Sequence, residues 1–381
     1  MRLSEELEKF RSEVKEFART EIAPGAKQAD QTMAFPAENV RKLAEQGFLG
    51  IMIPKEYEGL GLDTMHYLIV LEELSGVCGS TALTYAAHNS LCLNPIFNFG
   101  NKSQIEKYVP PLAKGEILGA FGLTEPEAGS DAGGTRTTFS ENGASFVLNG
   151  SKCFITNGSV GGVLIVTAKK AEAGRSKEIS SFIVESSWPG FSVGKKEDKM
   201  GLRASDTASI HFEELPVPKE NLLGQQGEGF KQFLKILDSG RIGIGAMSIG
   251  LAQAAFDIAL KFAKERSQFD HPISNYQAIQ WKLADMATKI EASRNLVYHA
   301  AYLKDLGRPF TKEAAIAKLF ASQAGREVIY DAMQVLGGYG YMSSYPLERM
   351  FRDQRLCEIG EGTSEIQKIV IARQILRQAS S

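Results

Sequence analysis

The hydrophobic period of this chain switches twice, near residues 119 and 226, and those switches constrain the fold more than any other feature. Before the first, apolar residues recur every three or four positions. "LSEELEKFRSEVKEFARTEIAP" puts Leu3, Leu7, Phe10, Val14 and Phe17 on one helical face, and Pro24 and Gly25 predict its end. "DTMHYLIVLEELSGV" predicts a second helix with Asp63 as N-cap. "STALTYAAHNSLCLNPIFNFG" reads as a buried one, apolar and rich in small residues. Between the switches lie short β-branched runs bounded by Gly, Pro and Ser. "ASFVLNGSKCFITNG" reads as strand, Asn-Gly turn and strand, and "GVLIVTAK", "SSFIVES", "GFSVGK" and "ASIHFEELPVP" continue the pattern. After "GQQGEGF" helical spacing returns and runs to the end. There "FKQFLKILDSGRIGIGAMSIGLAQAAFDIALKFAKERS" is very long for one globular helix. The order predicts an α+β multidomain chain: an α-helical domain over 1–118, a compact β domain over 119–226 and a helical bundle over 227–381.

With 381 residues the chain exceeds one ordinary core, which agrees with several domains. Its 43 basic and 45 acidic residues leave a net charge of −2, with no basic excess to hold a phosphate backbone, so nucleic acid is not an expected partner. No membrane span is expected, since no apolar run reaches about 20 residues. The opening "MRLSEELEKF" reads as a helix start, not a targeting segment, and the cytoplasm is the expected compartment. Cys78, Cys92, Cys153 and Cys357 lie far apart and form no CxxC pair, and the five histidines lack ligand spacing, so no metal site is expected. "GRIGIGAMSIG" fails as a dinucleotide motif, because Ser248 stands where the third glycine would be and no strand precedes it.

Three segments carry polar groups among glycines. In "GLTEPEAGSD", residues 122–131, Thr124, Ser130 and Asp131 offer short donors and acceptors where the backbone can approach a ligand closely. A plain turn loop has the same composition. "QVLGGYGYMSSYPLERMFRD" clusters glycines at a helix end, as a C-cap also would. "EIGEGTSEIQ" sets Glu361 between Gly360 and Gly362, just before a helix whose Ser364 and Gln367 match a capping box. An acid there complements the helix dipole. The dipole needs no flanking glycines, however. Their lack of bulk opens room for a ligand at the carboxylate, so a catalytic acid or base is the other reading of Glu361.

Taken together, in this order and spacing, these segments resemble the acyl-CoA dehydrogenase family over essentially the whole chain. "CFITNG", "DSGR", "ERSQF" and "EGTSEIQ" fall at the places that family has them. Two residues depart from its pattern. Ser344 stands where an Asp, Glu or Asn is usual, and Phe154 where Trp is frequent; a Phe still stacks on a flavin but lacks the indole donor. The resemblance implies a helical N-terminal domain, a β-barrel-like middle domain and a C-terminal four-helix bundle, with one FAD per subunit, commonly in a homotetramer. It implies α,β-dehydrogenation of an acyl-CoA, with Glu361 removing the α-proton and a hydride passing from the β-carbon to the flavin. The thioester oxygen would be held by the Glu361 backbone N–H and a cofactor hydroxyl.

By the same resemblance, Phe121, Leu123, Thr124, Ser130, Phe154 and Thr156 would hold the flavin, with Thr363 and Glu365 at its pyrophosphate or ribose. Arg266, Phe269, Gln277, Gln334 and Gly338 would reach the FAD of a neighbouring subunit. Ser130, Asp238 and Arg241 would contact the CoA part, and Gly362 the thioester. Gly240, where isovaleryl-type members carry their base, disfavours that arrangement. The lack of Lys or Arg in "GVCGSTALTYAAHNSLCLNPIF" disfavours a glutaryl substrate, whose distal carboxylate would lie unpaired. "GKKEDKMGLRASDTASIHFEELPVPKENLLG" and "LDSGRIGIGA" look most like short-chain, butyryl-type members. Gly360, where these usually have Tyr, leaves space for a branched or cyclic acyl group. An electron-transfer flavoprotein is the implied acceptor. A non-catalytic flavin-binding relative is the alternative from another class, and a mitochondrial matrix location applies if the chain is a processed eukaryotic form.

Overall fold

A computed structural model describes residues 3–171 and 178–378. The first block holds α1 (Glu5–Phe17), α2 (Ala23–Thr32), α3 (Ala37–Glu45), α4 (Thr64–Val77), α5 (Gly79–Ala86), α6 (Asn94–Phe99) and α7 (Lys102–Ala113). Asp63 caps α4 as expected, its carboxylate accepting the His66 N–H at 3.0 Å. Pro24 does not end a helix. A π-helical stretch, Ala18–Ile22, carries the chain onward, and Pro24 sits in the first turn of α2, where its missing N–H costs nothing. The apolar segment from α5 to α6 is continuous through a second π-helical stretch, Ala87–Leu93, and almost wholly buried.

The strands are β1 (Gly119–Gly122), β2 (Thr138–Asn142), β3 (Ser145–Thr156), β4 (Val163–Lys170), β5 (Ile179–Glu185), β6 (Phe191–Lys196), β7 (Thr207–Pro218) and β8 (Leu222–Leu223). They form one sheet in the order β6-β7-β3-β2-β4-β5-β8, with β1 parallel to β4. Inside it Phe139, Phe146 and Phe182 meet edge to face. Asn149-Gly150 is not a hairpin turn. β3 runs straight through it, the register against β7 shifts there, and the hairpin turn lies at Gly143-Ala144 between β2 and β3. Asn149 instead bonds across the irregularity to Glu214, through both its side-chain amide and its carbonyl oxygen. That satisfies backbone the bulge would otherwise leave open.

The last block comprises α8 (Gly229–Glu265), α9 (Gln277–Asp305), α10 (Thr311–Leu336), the short α11 (Gly338–Tyr341) and α12 (Leu347–Gln354), and α13 (Ser364–Gln378). α8, 37 residues, is one uninterrupted helix. It packs on α4, α9 and α10, and α13 closes the bundle on α10. Among the described residues α8 alone is long and apolar enough to cross a membrane, but 72% of that stretch is buried inside the protein. The burial accounts for its apolarity: α8 is the shared core of the helical blocks.

Candidate active site

Between the turn Arg355–Glu358 and the start of α13, the backbone makes a turn found in few non-glycine residues. Glu361 has φ 54° and Gly362 φ 93°, both left-handed. Gly362 is required: its conformation suits glycine, and a Cβ there would lie 2.8 Å from the Gln367 amide nitrogen. Gly360 is not. A Cβ at 360 meets only Leu356 at ordinary contact distance, so the space beside it is open but not obligatory.

The expected capping box does not form. The cap is one residue earlier: Thr363 Oγ1 accepts the Ile366 N–H at 3.4 Å. Gln367 Nε2 donates to the carbonyls of Glu361 and Gly362, at 3.2 and 2.9 Å. The left-handed pair turns both carbonyls inward, and buried acceptors need donors. Lys318 on α10, fully buried, supplies a second donor to the Gly362 carbonyl at 2.7 Å.

The Glu361 side chain lies against α8 at Gly240. A Cβ on residue 240 would sit 1.5 Å from Glu361 Oε2, so only glycine leaves that space. Oε2 is sealed from solvent and has no hydrogen-bond partner. Burial pushes the carboxyl up to about 7, against the pull of Lys318 and Arg241. A base poised near neutrality suits removal of a weakly acidic proton.

Glu361, Gly362 and Thr363 form part of the wall of a cavity of about 1080 Å³ between the sheet and the helical blocks. The sheet side brings Phe121, Leu123, Thr124, Ser130, Phe154 and Thr156 to the same wall. Phe154 has φ 59° at an irregularity of β3 and is 64% exposed, its ring bare towards the cavity. A flat aromatic ligand would cover it.

Two buried lysines behind this wall, Lys318 and Lys152, were not anticipated from sequence. Lys152, fully buried, donates to Glu125 Oε1 at 2.7 Å and to the Leu123 carbonyl at 3.2 Å. Glu125 also accepts from the backbone N–H of Arg136 and Thr137 and from the Thr135 hydroxyl. Burial opposes its charge, but Lys152 and these bonds hold its carboxyl at about 2. The loop carrying Thr124 is therefore pinned, and Cys153 N–H adds a bond to the Thr124 carbonyl at 2.9 Å. A lysine inside a strand, and another among alanines in "AAIAKLFASQAG", were the legible signals for Lys152 and Lys318.

Asp238 requires a correction. It is not on the cavity wall. One oxygen binds Arg241 Nη1 at 2.5 Å and the other accepts the Thr311 hydroxyl at 2.6 Å, so both are committed within the protein. Arg241, nearly buried, does reach the wall, and its Nε has no partner. Glu365 is exposed and off the wall. Arg266, Phe269, Gln277, Gln334 and Gly338 are also away from the cavity, all exposed, near the ends of α8, α10 and α11 and the start of α9. There the Arg266 guanidinium lies 5.9 Å over the ring of Tyr339, and Phe269 is 86% exposed. No cluster of His, Cys, Asp or Glu able to hold a metal occurs among the described residues.

Residues 4–116, 120–215 and 227–376 match, in turn, the N-terminal, middle and C-terminal domains of acyl-CoA dehydrogenase. The chain belongs to the acyl-CoA dehydrogenase family.

It is 48% identical to the short-chain specific acyl-CoA dehydrogenase of Clostridium acetobutylicum, over 98% of this chain and 99% of that one. Butyryl-CoA dehydrogenase from Megasphaera elsdenii shares its structure at a TM-score of 0.96 and 42% identity, covering 99% of each chain. A chain from a structure described as the electron transferring flavoprotein of Acidaminococcus fermentans, in a study of flavin-based electron bifurcation, matches at 0.97 and 47%, again over 99% of each. The acyl-CoA dehydrogenase family consists of flavin-dependent oxidoreductases. The bare Phe154 ring, the pinned Thr124 loop and the cavity volume suit such a cofactor.

Proposed function

We propose that this acyl-CoA dehydrogenase oxidises a short-chain acyl-CoA to the trans-2-enoyl-CoA, with FAD in the cavity and Glu361 as the base. One observation carries the reading: the Glu361 carboxyl lines the same cavity as Phe154, desolvated, unpaired and held on Gly240. Phe121, Leu123, Thr124, Ser130, Phe154, Thr156 and Thr363 would hold the cofactor. Bound FAD supplies the acceptor for the β-hydride. Glu361 takes the α-proton, and its backbone N–H, presented by the left-handed turn, faces the growing charge on the thioester oxygen. Arg241, oriented by Asp238 and Thr311, and Ser130 would meet the polar part of CoA. Leu83, Ala87, Leu91, Leu237 and Ile244, also on the wall, offer an apolar slot for the acyl chain.

Oligomerisation and electron transfer are part of the same proposal. Arg266, Phe269, Gln277, Gln334 and Gly338 form an exposed face that a second subunit's cofactor would cover, in a homotetramer. An electron-transfer flavoprotein would reoxidise the enzyme, in the cytoplasm of a bacterial host. Anaerobic addition of butyryl-CoA to the purified holoenzyme tests the reaction. Bleaching of the flavin with release of crotonyl-CoA is expected; an unchanged flavin spectrum with every short acyl-CoA would refute it.

A further inference from the structure

Lys318 has no place in the chemistry above, yet it is among the most deeply buried charges in the protein. Its ammonium does not pair with the nearby carboxylate of Glu361. It donates to the Gly362 carbonyl at 2.7 Å, one residue beyond the base. Other charged and titratable groups approach from each packed element. Arg241 of α8 is committed to Asp238. Tyr67 of α4, fully buried, feels the Glu361 charge. Cys357 and Glu358 lie on the same segment as the base, and Glu358 is engaged by Arg326 and Arg355 at 3.3 and 3.2 Å. An apolar side chain would fit a helix interior at lower desolvation cost, so an ammonium there calls for a reason.

We propose that Lys318 is a positioning residue for Glu361: it clamps the Gly362 carbonyl to hold the left-handed turn and keeps an unpaired positive charge behind the carboxylate. This rests on the reading of Glu361 as the base. The geometry separates two tasks. Bonding the backbone fixes where the carboxyl and its N–H point. A nearby cation that makes no bond to the carboxylate favours its charged form without taking up the oxygen that must receive the proton. Burial holds Lys318 down to about 8, so its field weakens as pH rises past that value.

The test uses holoenzyme carrying Lys318→Met, of similar length and uncharged, and Lys318→Gln as a second neutral variant. Flavin content and Tm are measured first. Then follow kcat and KM with butyryl-CoA against pH, and exchange of the butyryl-CoA α-proton into deuterated water by mass spectrometry. The proposal expects Lys318→Met to keep its flavin and a Tm no lower than wild type. It expects kcat and exchange to fall by about 100-fold, the order expected for a misplaced base. The acidic limb of the pH profile should move to higher pH, because removing a cation favours the protonated carboxyl. An unmoved limb and wild-type exchange in either folded variant would overturn it, as would failure of both variants to fold, which would make the ammonium a folding requirement. If Glu361→Gln itself retained exchange, the reading of the base would fall first. If Glu361→Gln is inert while Lys318→Met matches wild type, only the role of Lys318 falls.

Discussion

Replacing Gly240 by alanine adds a single methyl group, in a place where the structure gives it one consequence. The three atoms it would meet first all belong to Glu361: Oε2 at 1.5 Å, Cδ at 2.5 Å and Oε1 at 2.9 Å. Ordinary contact begins near 3.4 Å, so the carboxyl must retreat by about 2 Å. No backbone atom is among those three, and a flexible side-chain end yields at little cost. Alanine in a helix interior is favoured over glycine by about 1 kcal/mol, so α8 itself gains. Stability and catalysis should therefore separate. Gly240→Ala is expected to fold, bind flavin and melt at or above the wild-type temperature. A misplacement of about 1 Å can cost about 100-fold, so a loss of at least that size in kcat is expected. Differential scanning fluorimetry and anaerobic flavin bleaching with butyryl-CoA measure the two sides on one preparation. Unchanged kcat would refute the reasoning, because it would mean that the carboxyl does not work from the position against α8.

Glu361→Gln should keep its flavin and lose turnover by several orders of magnitude. Its Tm gain over wild type should grow as pH rises from the usual carboxylate value of 4.5 towards about 7 and level off above that, since the folded state resists ionisation that the unfolded chain has already undergone; paired melts near the two ends of that window check the sign. Glu125→Gln strips the partner from buried Lys152. A loss of about 3–5 kcal/mol is expected, the cost of breaking a buried pair, together with weaker flavin retention on a desalting column. Gly360→Tyr should fold, because the position is open, and should lower kcat/KM for a branched acyl-CoA more than for butyryl-CoA in a substrate panel.

Much of the fold was legible because period and punctuation are local. The switch from helical to strand spacing near residue 119 corresponds to β1 at Gly119, and Asp63 caps the helix that its position announces. Local signals failed where tertiary contacts outweighed them. Asn149-Gly150 has turn chemistry, but pairing on both sides of β3 kept the strand straight and reduced it to a bulge. Pro24 reads as a stop, yet it is equally at home in a first turn. Ser364 and Gln367 match a capping box, but the carbonyls of the left-handed turn claimed Gln367 and moved the cap to Thr363.

For the site, the residue types were legible and their partners were not. The order of short motifs carried the family resemblance, and the resemblance implied roles for Glu361, Thr124 and Arg241, which the fold brings to one cavity wall. What set the carboxyl against Gly240, drew Asp238 away from the cavity, and buried Lys318 and Lys152 beneath the two site loops was packing between segments far apart in the chain. A sequence determines which groups are available through local chemistry. Desolvation and the direction of a charge depend on what lies on the other side, and only the assembled helices and sheet decide that.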